Sequence, residues 1–173
     1  MINEKIEKAI NDQIKKEEHS SRLYLAMASW CQKNGYPGAA AFLYKHSDEE
    51  RLHQLKFVHN LNDRGGYAVL QELEQPAFQF DSLLAMFQEV LKHEFFITAS
   101  INEIYHLCMT EKDYTTANFL QWFITEQIEE ENLVNSILDK MNLAGADKSG
   151  LFHIDKELGG MGAPVGGAAP NAT

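Results

Sequence analysis

A helical hydrophobic period runs almost unbroken from residue 4 to residue 142, and it constrains this chain more than any other feature. Apolar side chains recur every three to four residues, and nowhere does the alternation of a β-strand compete with them. Punctuation divides the run. Asn34-Gly35 ends a first helix, and Pro37 opens a second where its missing N–H costs little. Arg64-Gly65-Gly66 ends the second helix, Asp81 and Asp113 are the expected N-caps of the third and fourth, and Gly145 closes the fourth. Short connections make the first and second helices, and the third and fourth, antiparallel neighbours. The segment from Gly66 to Asp81, about sixteen residues, can at about 3.3 Å each run the length of a helix of roughly 40 Å. The predicted fold is all-α, a four-helix bundle with a long crossover between its second and third helices.

Residues 1–145 form this bundle. Residues 146–158 hold a shorter fifth helix, Asp147 to Leu158, with Leu151, Ile154 and Leu158 along one side and no place in a four-helix core. Residues 159–173, rich in Gly, Ala and Pro and without periodicity, read as a flexible tail. The first helix carries a second apolar stripe, Leu23, Ala26, Met27 and Trp30. It reads as a subunit interface, where Trp is enriched.

The formal net charge of -10 disfavours nucleic acid and favours cations. No apolar run is long enough for a membrane span. Met1-Ile2-Asn3-Glu4 opens directly into a charged amphipathic segment instead of a leader, so the expected address is cytoplasmic. Cys31 and Cys108 stand alone on core arcs as small buried hydrophobes. Without a CxxC pair there is no zinc ribbon, rubredoxin-like centre or disulfide framework.

What the core arcs contain is unusual. Glu50 and His53 share the arc of Phe42, Leu43, His46, Phe57 and Leu61. Glu17 lies with Ile6, Ile10, Tyr24 and Ala28, and Glu94 with Phe87, Leu91 and Ile101. Glu130, flanked by Glu126 and Gln127, lies with Phe123, Val134 and Ile137. A carboxylate on an apolar face is costly unless a cation compensates it. Any one acid here would ordinarily be a solvated residue, and a lone Glu-x-x-His is a weak signal. Four acids on four core arcs, all near helix midpoints, converge on one layer of an antiparallel bundle. Oxygen-rich donors with a single imidazole suit iron in both oxidation states.

With these residues the sequence resembles the ferritins, specifically the non-haem bacterial type with an oxidation centre, over residues 1 to about 158. The resemblance implies one iron site from Glu17, Glu50 and His53. A second would use Glu50 as bridge with Glu94 and Glu130, with Gln127 beside it and Tyr24 next to the pair. It also implies a third iron site from Glu49, Glu126 and Glu129, sharing Glu130, and places Trp122 near the centre. Haem-binding relatives carry Met after the second-helix Glu and repeat Glu-x-x-His on the fourth helix. Here those places hold Arg51 and Gln127-x-x-Glu130, so no haem is expected.

The implied function is ferroxidase activity and iron storage. Fe(II) would be oxidised by oxygen or hydrogen peroxide at a di-iron centre inside each subunit, and ferric mineral stored within a cage of twenty-four copies. Two other readings remain open in the residues. One is a di-iron oxidase or peroxidase acting on another substrate. The other is a redox-inactive carboxylate bundle that buffers metal.

Overall fold

The computed structural model describes residues 2–162. The order is α1 (Glu4–Lys33), α2 (Pro37–Asp63), α3 (Leu83–Thr110), α4 (Tyr114–Ala144) and α5 (Lys148–Gly162), with no strand among the described residues. Among the described residues no helix is long and apolar enough to cross a membrane.

Local chemistry sets the boundaries. Asn3 caps α1 by accepting from the Lys5 N–H at 2.8 Å, and Gly35 supplies a positive φ of +83° after the helix. Asp113 caps α4 by accepting from Thr116 N at 3.1 Å. It is itself held by the Arg64 guanidinium, which donates to both carboxylate oxygens at 2.7 Å, so the end of α2 is tied to the start of α4. The cap of α3 is Ser82 and not the expected Asp81. The Ser82 backbone is extended, and its hydroxyl accepts from Ala85 N at 3.0 Å.

The crossover lies along α1. Tyr67 N donates to Glu7 Oε1 at 2.9 Å and Val69 N to Asn11 Oδ1 at 2.7 Å, so side chains of the helix satisfy the backbone of the strap. At its far end Phe80 meets Trp30 edge-on, with ring centroids 5.7 Å apart. This revises the second stripe of α1. Leu23 and Met27 are buried within the chain, and Trp30 is partly covered by Tyr36 and Phe80, because the crossover returns over the surface that looked free.

The fifth helix also departs from expectation. It continues past Leu158 to Gly162, and Ile154 and Leu158 join the core against α2 and α4. Gly159 and Gly162 serve close approach here and do not break the helix. A Cβ on Gly162 would lie 2.4 Å from the Ala41 carbonyl carbon, and one on Gly38 only 1.7 Å from the Asp155 carbonyl oxygen. Asp155 in turn caps α2, accepting from Gly38 N at 3.1 Å and Ala39 N at 2.8 Å, where Tyr36 offers no side-chain cap. Of the tail expected from residue 159, residues 159–162 are thus helical, and 163–173 lie outside the described residues.

The core has two apolar parts. One joins the C-terminal half of α1 to the N-terminal halves of α2 and α3, the C-terminal half of α4, and α5. The other joins the four opposite halves. Between them lies a layer of buried polar side chains.

Candidate metal centre

Each bundle helix delivers polar groups to that layer near its midpoint. Glu17 is 1% exposed, Glu94 2%, Glu50 4% and His53 5%, and Gln127 and Glu130 of α4 are also buried. One ligand atom from each of Glu17, Glu50 and His53 falls within 4.8 Å of the other two. A second group, His46, Glu49 and Glu130, meets the same limit, with His46 Nδ1 3.5 Å from both Glu49 Oε2 and Glu130 Oε2. The helical turn explains the pairing. His46-x-x-Glu49 and Glu50-x-x-His53 each place acid and imidazole one turn apart on α2.

Glu94 is held from two sides. The Tyr24 hydroxyl donates to Oε1, and Gln127 Nε2 donates to Oε2 at 3.0 Å. Glu17 accepts from Gln13 Nε2 through Oε1 at 2.7 Å, whereas its buried Oε2 has no partner. A buried carboxylate oxygen beside the Glu50 carboxyl and with no other donor facing it is available to a cation.

The electrostatics agree with that reading. Burial, then the charge of Glu50, raises Glu17 well above the ordinary carboxylate range. Burial and Glu94 do the same to Glu50. Glu94 is raised by burial, with Tyr24 and Gln127 working against the shift. Glu130 is pushed up to about 8 by burial and by the neighbouring acids Glu94, Glu49 and Glu126. Burial lowers His53, and lowers His46 to about 4, so both imidazoles are neutral at neutral pH and able to ligate. Cations entering this layer displace protons and relieve repulsion together.

All the residues singled out in the sequence reach the layer or its edge. Glu126 and Glu129 line a cavity of about 330 Å³ with Lys45, His46, Glu49 and Glu130. Trp122 is 40% exposed and is not a core filler. Its ring meets His53 edge-on at 5.3 Å, and the Lys56 ammonium lies over its face. The functional group missed in the sequence is His46. It lies on the core arc, but its spacing to Glu49 runs in the reverse order to Glu50-x-x-His53, which hides the pair in the sequence.

The sequence matches the ferritin-like domain family over residues 7–144. The chain belongs to the ferritins. Within that family it is close to the bacterial non-haem type. It is 47% identical over 155 residues to a bacterial non-heme ferritin of Escherichia coli, covering 90% of this chain and 93% of that protein. It is 45% identical over 161 residues to a probable bacterial non-heme ferritin-like protein of Haemophilus influenzae, covering 93% and 98%. An open-pore ferritin from the hyperthermophilic archaeon Archaeoglobus fulgidus superposes with a TM-score of 0.91 at 40% identity, over 92% of this chain and 98% of that one. A buried acid–histidine group at the middle of a ferritin bundle, with further buried acids and a second acid–histidine group adjoining it, is the arrangement of a di-iron ferroxidase centre.

Proposed function

We propose that this ferritin oxidises Fe(II) at an intra-subunit centre and stores the ferric product as mineral inside a cage of twenty-four copies. The observation that carries the reading is the buried Glu17–Glu50–His53 group with its unpartnered Glu17 oxygen. Fe(II) is the substrate. One ion is taken by Glu17, Glu50 and His53, and a second by Glu50 as bridge with Glu94 and Glu130. Gln127 and Tyr24 hold Glu94 in place from either side.

The carboxylates release protons as the ions enter and stabilise the higher charge of Fe(III) afterwards. Each pair of Fe(II) gives up two electrons. Oxygen accepts them with two protons and leaves as hydrogen peroxide, or hydrogen peroxide accepts them with two protons and leaves as two waters. A third, weaker iron position is proposed at Glu49, Glu126, Glu129 and Glu130, with His46 as its nitrogen donor. Haem is not part of the reading, since Arg51 follows Glu50 and is exposed. A cytoplasmic location is proposed on the two free, buried cysteines, which suit a reducing compartment.

Anaerobic titration of the apo-protein should show two tightly bound Fe(II) per chain and a third weaker one, with rapid oxygen uptake once air is admitted. His53→Ala and Glu50→Ala should slow the fast phase by on the order of a hundredfold, with the assembled mass by light scattering unchanged. Wild-type rates in both variants would sink the assignment. Binding without oxygen uptake would leave the metal-buffering reading in its place.

A further inference from the structure

Behind Glu17 the hydrogen bond from Gln13 is the last link of a longer chain. Lys16 Nζ donates to Ser100 Oγ at 2.5 Å, Ser100 Oγ donates to Gln13 Oε1 at 2.5 Å, and Gln13 Nε2 donates to Glu17 Oε1 at 2.7 Å. Gln13 is fully buried and Ser100 nearly so. The positive charge at its outer end biases the direction of this chain. An ammonium has only donors, so the Ser100 oxygen must accept from it. The Ser100 hydrogen points away from that cation and is donated to Gln13 Oε1, which leaves the Gln13 NH₂ for the Glu17 carboxylate. The ammonium itself is steadied by the Phe96 ring, 5.4 Å from its centroid.

We propose that Lys16, Ser100 and Gln13 are positioning residues that engage one oxygen of Glu17 and leave the other free for the metal. The inference rests on the di-iron reading above. The Glu17 carboxylate itself selects the Gln13 NH₂, and the hydroxyl donated to Gln13 Oε1 from the other end holds the amide in that orientation. An oxygen there would repel the carboxylate and swing it. The chain therefore sets both the rotamer of Glu17 and the number of oxygens it can give to a metal.

A parallel arrangement stands behind Glu94, and it is forced by the opposite charge. Thr98 Oγ1 donates to the Glu131 carboxylate at 2.5 Å and so has only lone pairs left for Gln127 Nε2, 3.2 Å away. Gln127 is thereby turned with its NH₂ towards Glu94, to which it donates at 3.0 Å. One glutamine is directed by a cation that cannot accept, and the other by an anion that cannot donate.

The test is calorimetric titration of the apo-protein with Zn(II) alone, the step at the Glu17 position being the one that His53→Ala removes. Ser100→Ala and Lys16→Met should weaken that step by about tenfold and leave the other step unchanged. Ser100→Thr, which keeps the hydroxyl, should restore it. Wild-type affinity in Ser100→Ala and Lys16→Met would overturn the proposal, and so would equal loss in Ser100→Thr and Ser100→Ala, which would mark a packing effect. Failure of the wild type to bind two Zn(II) per chain would instead overturn the di-metal reading itself.

Discussion

The two apolar ends of the bundle and the polar layer between them are built from the same four helices by opposite rules. At the ends, side chains fill space. Phe57, for example, stacks on Phe123 at 4.1 Å with Leu61 and Leu120 in the same cluster. In the middle, the same helix faces carry carboxylates whose burial raises their pKa values and whose charges oppose one another. The ends hold the fold, and the layer is tolerated because they do. Function thus occupies the least stable storey of the core.

The largest expected effect comes from an end. Phe57→Ala should cost about 3–5 kcal/mol through lost burial and a residual cavity, measured by urea unfolding of the apo-protein. Folded variant should still bind two Zn(II) per chain. If stoichiometry falls with stability, the division between ends and layer is wrong.

A smaller effect should appear in the pH dependence of the apo-protein. The folded value of Glu130, about 8, stands above its unfolded value near 4.5, so the native state holds the extra proton between those limits. Its contribution to stability is fully present below about 4.5 and is lost as pH rises towards 8. Glu17, Glu50 and Glu94 act with the same sign. His46 works the other way, because its folded value is depressed to about 4 from 6.5, and stability from it rises through that lower window. Above 6.5 only the carboxyl effect remains. The melting temperature of the apo-protein should therefore decline from pH 6.5 to 8, and Glu130→Gln or saturating Zn(II) should flatten the decline. A flat wild-type profile would mean the layer is not holding protons.

The smallest effect belongs to an end again. Asp155→Ala removes the cap that α5 supplies to α2 and should cost about 1 kcal/mol. Faster hydrogen exchange at Gly38 and Ala39 would report it, with the rate of Fe(II) oxidation unchanged. A slowed oxidation would show that the layer depends on α5.

The four helices, the crossover and the acids on core arcs were legible in the sequence because each is carried by spacing within one helix or one connection. The metal-facing role of Glu17, Glu50 and His53 followed from the same periodicity. What escaped depends on residues that meet only in three dimensions. Asp155 meets Gly38 across 117 residues and Ser100 meets Gln13 across 87, and no periodicity reports such pairs. Gly159 and Gly162 looked like an end of structure because the backbone that requires their missing side chains belongs to α2. Ser82 and Asp81 are equally good caps by residue type, and only the backbone direction chooses between them.

The glycine contacts between α2 and α5 have a mechanical consequence. Ordinary helix pairs sit about 8–10 Å apart and can slide a little, because side chains between them repack. Here backbone lies against backbone at Gly38 and Gly162, and there is nothing compressible in the seam. Moving α5 along α2 by one residue would bring a side chain where only hydrogen fits. The fifth helix therefore seats on α2 in a single register, and one methyl group at position 38 would be enough to unseat it.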